Sequence, residues 1–125
     1  MSREDEARAF HYAVYDMVQS IPYGKVTSYG HIAKLVYKPR NSRHVGQALK
    51  SLPSEGVVKD YPYSQENVPW WRVISSSGVI SVRDRDAMQR QATMLRREGV
   101  EVGEGNYKIS LVDYGWFPET EFDDY

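Results

Sequence analysis

The sequence predicts a mainly α fold with a small β-hairpin, arranged as a winged-helix-like helix-turn-helix. Three observations carry this expectation. Apolar residues recur at steps of three and four through most of the chain; two short helical patterns flank a tight break; and one pair of β-rich runs encloses a glycine-containing turn. From about Asp5 to Ser20, Ala7, Phe10, Val14, Met17 and Val18 form the apolar stripe of an amphipathic helix, which Pro22-Tyr23-Gly24 ends. Thr27 or Ser28 can cap a second helix lined by Tyr29, Ile32, Ala33 and Val36, broken in turn by Lys38-Pro39-Arg40. Asn41 or Ser42 starts a third helix. It buries Val45, Ala48, Leu49 and Leu52, and shows Arg43, Gln47 and Lys50 on its other side.

Residues 53–69 hold Pro53, Gly56, Pro62 and Pro69 and read as a long surface loop, expected to be an unconstrained insertion. The runs Trp71 to Ile74 and Val79 to Val82, around Ser75-Ser76-Ser77-Gly78, predict the hairpin or wing. Asp84 or Asp86 can start a last helix, with Met88, Ala92 and Leu95 inward and Gly99 at its end. Tyr107 to Leu111 is expected to be a further strand. The expected organisation is one domain over residues 1–118 and an acidic, disordered tail over 119–125.

The composition excludes several chemistries. The chain has no cysteine, which removes disulfides, thiolate metal sites and any cysteine nucleophile. His11, His31 and His44 are scattered without metal-ligand spacing, so neither a metal nor a cofactor is expected. No apolar stretch approaches the roughly 18 residues of a membrane span, and acidic Glu4, Asp5 and Glu6 do not resemble a signal peptide. These features predict a soluble intracellular protein. The formal net charge is −1, but Glu119, Glu121, Asp123 and Asp124 in the tail outweigh it, so the rest of the chain is net positive. Lys38, Arg40, Arg43, His44 and Lys50 form one basic group, and Arg83, Arg85, Arg90, Arg96 and Arg97 a second. Binding to a polyanion needs such a local face rather than a basic total, although solvated helix faces look the same.

Three segments in order sharpen the picture: Ile21-Pro22-Tyr23-Gly24-Lys25-Val26-Thr27-Ser28-Tyr29-Gly30, Ser42-Arg43-His44-Val45-Gly46-Gln47-Ala48, and Val68-Pro69-Trp70-Trp71-Arg72-Val73-Ile74. From roughly Phe10 to Tyr114 the chain resembles the C-terminal DNA-binding domain of the O6-alkylguanine-DNA alkyltransferases. Those enzymes carry a cysteine where this sequence has Trp70, and a histidine where it has Trp71. A tryptophan at the cysteine position is the mark of the alkyltransferase-like proteins, which usually keep the histidine. The resemblance therefore implies a non-enzymatic protein with no catalytic residue. It would bind duplex DNA containing alkylated guanine, flip the damaged base into a pocket and flag it for nucleotide excision repair proteins. A monomer is expected, in the nucleus of a eukaryote or the cytoplasm of a bacterium.

Residue by residue, the resemblance makes Arg43 the finger that fills the gap left by the flipped base. Tyr29 would stand beside the flipped nucleotide. Gly46 would permit close backbone approach in the minor groove, with Lys50 on the same helix face. Trp70 and Val73 would belong to the pocket, Arg83 would be its arginine, and Asp84 would sit at its lid. Consecutive on an expected strand, Trp70 and Trp71 should point to opposite sides, one to the pocket and one to the core. Glu98 resembles the glutamate of the enzymes' cysteine–histidine–glutamate network, here expected to be structural or exposed. The competing expectation is a general DNA-binding or regulatory module of the same fold without lesion selectivity. An enzyme using Tyr29 or Lys25 as nucleophile is disfavoured, because no activating base accompanies either.

Overall fold

The computed structural model describes residues 2–122. Helix α1 (Arg3–Gln19) starts where the Ser2 hydroxyl accepts from the Asp5 N–H, and its first turn carries Glu4, Asp5 and Glu6 against the positive end of the helix dipole. Strand β1 (Thr27–Ser28) leads directly into α2 (Tyr29–Leu35), with the Ser28 hydroxyl capping the His31 N–H. Helix α3 (Ser42–Lys50) follows the Lys38-Pro39-Arg40 break; its cap residue Asn41 makes no side-chain capping bond. Helices α2 and α3 pack on each other and on α1.

A single 3₁₀ turn (Trp70–Arg72) precedes strand β2 (Val73–Ile74). Strand β2 pairs in parallel with β1, Thr27 opposite Val73 and Ser28 opposite Ile74. This corrects the expected hairpin. The turn over Ser75–Gly78 does form, with Ser75 N–H donating to Val79 and Gly78 N–H to Ser75. Its outgoing arm does not return along Trp71 to Ile74, however. Instead Val79 bridges Lys108 in antiparallel sense, and Ile80 N–H donates to the Tyr107 carbonyl. The expected strand over Tyr107 to Leu111 is thus reduced to one bridge, followed by the short helix α5 (Leu111–Tyr114).

Helix α4 (Arg85–Arg97) begins at Asp84, whose carboxylate accepts from the Ala87 N–H at 2.9 Å, and Gly99 just beyond its end takes a φ of +87°. Two apolar clusters meet at the β1–β2 pair. Val73 joins Val14, Val18, Ile32, Val45 and Ala48 on one side; Ile74 joins Val26, Ile80, Ala92, Leu95 and Ile109 on the other. Alternation along β2 places the two neighbours in different cores. None of the described helices is long and apolar enough to cross a membrane.

The 53–69 segment is anchored rather than unconstrained. Tyr61 and Tyr63 pack on Tyr12, with ring centroids 5.9 and 5.0 Å apart, and the Tyr63 hydroxyl donates to Asp16 at 2.6 Å. That bond to the carboxylate, followed by burial, pushes the Tyr63 phenol up to about 12. Of the acidic tail, Phe122 meets the Tyr37 ring at 6.0 Å, whereas Asp123 and Asp124 lie outside the described residues.

Candidate nucleic-acid interface

The α2–α3 pair turns Arg43, His44, Gln47 and Lys50 to solvent while Val45 and Ala48 are fully buried. A cleft of about 470 Å³ lies between this face, the 3₁₀ turn and the segment leading into α4. Tyr29, Arg43, Gly46, Lys50, Trp70 and Arg83 line it together. Six residues singled out from the sequence, drawn from four separate segments, therefore share one cavity of the size that holds a small molecule.

Two of the sequence-assigned residues do not share it. Val73 has no exposed surface and packs in the α1–α3 core, because β2 is buried on both faces; it supports the cleft from beneath. Asp84 spends its carboxylate on the first turn of α4 and does not line the cavity. Arg90, from the second basic group, also lines the cleft, and so do Gln65, Ser81, Val82 and Gln91, which were not anticipated. Gln91 left a readable signal, a polar side chain within the stripe formed by Met88, Ala92 and Leu95. Gln65 comes from the anchored loop, held by bonds to the carbonyls of Pro53 and Leu52, and nothing in its local sequence marks it.

Each wall has its own support. Tyr29 is half-buried, packing on the α1–α3 core while its ring also borders the cleft. A Cβ at Gly46 would meet that ring at 3.8 Å, an ordinary contact, so the fold itself does not require glycine there. Trp70 packs on the first core and Trp71 on the second, their rings edge to face with centroids 5.8 Å apart. The expected divergence of the two indoles thus arises from a 3₁₀ turn rather than a strand. Arg83 is held at both nitrogens of its fork, donating to Gln91 at 2.6 Å and to the Ser81 carbonyl at 3.2 Å.

Behind the tryptophans, Glu98 is a structural centre and not an exposed residue: its side chain is only 6% exposed. Its carboxylate accepts from Trp71 Nε1 at 2.7 Å, from the Gly24 N–H at 2.9 Å, and from Arg72, whose Nη2 stands at 2.8 Å. Burial alone would push this carboxyl up. The bonds from Arg72, Gly24 and Trp71, with the Arg72 charge, outweigh burial and hold it below the ordinary carboxylate value. The described residues hold no cluster of side chains suited to a metal ion.

A pair of short helices whose basic face borders a tryptophan- and arginine-walled cleft is the arrangement of a nucleic-acid-binding module. The chain belongs to the family described as 6-O-methylguanine DNA methyltransferase, DNA binding domain, whose sequence profile matches residues 9–100. It is 46% identical over 113 residues to alkyltransferase-like protein 1 of Schizosaccharomyces pombe, covering 87% of this chain and 95% of that protein. It is 44% identical over 105 residues to the DNA base-flipping protein of Vibrio parahaemolyticus, covering 84% and 93%. Among solved structures it resembles S. pombe Atl1 in complex with damaged DNA containing O6-carboxymethylguanine, with a TM-score of 0.75 and 45% identity over 89% of this chain and 97% of that one. The chain is thus a family member without a cysteine, similar to relatives named alkyltransferase-like protein and DNA base-flipping protein.

Proposed function

We propose that this protein binds duplex DNA through α3, rotates O6-alkylguanine into the cleft without removing the alkyl group, and acts as a monomer that flags the site for nucleotide excision repair. The observation that carries the reading is the shared cleft: Trp70, in the position of the acceptor cysteine, and Arg83 line the same cavity that Arg43 borders from α3. Extruding a base costs a few kcal/mol of stacking and pairing. Arg43, exposed at the start of α3, can fill the vacated stack. Trp70 offers apolar surface to the alkyl group, and Arg83 over a purine face contributes about 0.5–2 kcal/mol by cation–π attraction. Entry of α3 through the minor groove, which discriminates bases poorly, suits a protein that scans any sequence.

The reading is tested by comparing binding to two otherwise identical duplexes, one carrying a single O6-methylguanine, at matched salt, and then recovering the DNA. The expected result is preference for the modified duplex with the methyl group retained, and loss of that preference in Arg43→Ala and Trp70→Ala. Equal binding of both duplexes would reduce the protein to a general DNA-binding module, and loss of the methyl group would overturn the non-enzymatic assignment.

A further inference from the structure

Gln91 is 1% exposed and lies on the inward face of α4, where its neighbours along the stripe are apolar. Both ends of its amide are engaged. The amide nitrogen donates to two backbone carbonyls, Trp71 at 3.1 Å and Val73 at 3.0 Å. Both carbonyls are acceptors, so that end of the side chain must be the NH₂ group. The amide oxygen is therefore turned the other way, and it accepts from Arg83 Nη2 at 2.6 Å.

We propose that Gln91 is a positioning residue for base recognition, tying the tryptophan turn to the arginine wall and fixing the plane in which the Arg83 guanidinium meets a flipped purine. The inference rests on the lesion-binding reading above and assigns a specific part of it. A buried glutamine is an expensive way to fill a core position that leucine or methionine would occupy without polar cost. Its chemistry, however, fits this junction. A neutral acceptor orients the guanidinium without cancelling its charge, so the full cation remains available to a purine face; a carboxylate in the same place would neutralise it. The Ser81 carbonyl, also neutral, takes the other arm of the fork. Because the same amide holds the carbonyl of Trp71, any shift of the turn that carries Trp70 is transmitted to Arg83, and the two walls keep their spacing.

The experiment measures the affinity ratio between O6-methylguanine and unmodified duplexes for the wild type, Gln91→Met, Arg83→Ala and the double variant. The expected result is a loss of preference of about tenfold in Gln91→Met. In the Arg83→Ala background, Gln91→Met should change the preference no further, because the guanidinium it positions is gone. An unchanged ratio in Gln91→Met, or the same loss with Arg83 already removed, overturns the proposal while leaving lesion binding in place. Absence of preference in the wild type overturns the lesion reading itself. Should Gln91→Met not fold, Arg83→Lys decides the matter with the Gln91 anchors intact: it keeps the charge but not the planar fork. Loss of preference supports the held orientation and full retention refutes it.

Discussion

Replacing Glu98 by glutamine isolates the energetics of the support beneath the tryptophans. The carboxylate serves Trp71, Gly24 and Arg72 at once, so whichever way the amide sits, its NH₂ group faces at least one donor. Arg72, with a side chain only 13% exposed, then loses its counter-charge. Removing one partner of a buried ion pair costs about 3–5 kcal/mol. Arg72 keeps its bond to the Ile21 carbonyl at 2.8 Å, and the Tyr23 and Trp71 rings lie 5.5 and 5.7 Å from its guanidinium carbon, which places the cost near the lower end, about 3 kcal/mol. With an unfolding entropy of about 2 cal/mol/K per residue, that corresponds to a fall in Tm of about 10–12 °C for a chain of this length. Thermal and urea melts followed by tryptophan fluorescence report it directly. A loss below about 1 kcal/mol would show that the pair behaves as an exposed one and refute the argument from burial.

The same carboxylate predicts an acid limit. Its folded pKa lies below the unfolded value of 4.5, so its contribution is complete above about pH 4.5 and disappears as the pH falls through the folded value. Unfolding free energies from urea melts taken from pH 6 down to pH 3 should decline in the wild type by as much as about 1.4 kcal/mol per pH unit from this group alone, and more shallowly in Glu98→Gln. Gly46→Ala should separate stability from binding. The added methyl meets only the Tyr29 ring at 3.8 Å, so helix propensity should raise stability by about 0.5–1 kcal/mol, while DNA affinity falls as the methyl holds the α3 backbone away from the groove. A variant that is more stable and binds equally well would show that no close approach occurs at that position.

The helices were legible because burial repeats along them at helical spacing: Val14 and Val18 in α1, Val45 and Ala48 in α3, and Met88, Ala92 and Leu95 in α4 are all inward. Serine and aspartate caps fixed their starts at Ser28 and Asp84. The β structure was not legible, because β2 pairs with a strand that lies before α2, and a two-residue parallel ladder leaves no local alternation to read. The site divided along the same line. Motif positions brought Tyr29, Arg43, Gly46, Lys50, Trp70 and Arg83 to one cavity. The same motif reading misassigned Val73, since adjacency in sequence to Trp71 and Arg72 says nothing about the face a residue occupies. Asp84 carried two competing signals, a lid and a helix cap, and the local cap is where its carboxylate bonds.

The two buried polar groups behind the cleft show what a binding site needs once reactivity is gone. In the alkyltransferases that the sequence resembles, a glutamate and a histidine would serve a thiol. Here Trp71 takes the histidine's place, and its indole N–H donates to Glu98 at 2.7 Å. An indole nitrogen donates but does not accept a proton, so Trp71 cannot relay one as an imidazole would, and the pair acts as a brace. Glu98 braces Trp71 and Arg72 from one side, and Gln91 braces the carbonyls of Trp71 and Val73 from the other. The turn that presents Trp70 is therefore clamped between two side chains, Glu98 through Trp71 and Arg72 and Gln91 through the Trp71 carbonyl. A flipped base brings a cost of a few kcal/mol with it, and a soft cleft would add its own ordering to that cost. A clamped wall avoids the second term, so the proposed holding of a flipped base would draw on a cleft that is already ordered.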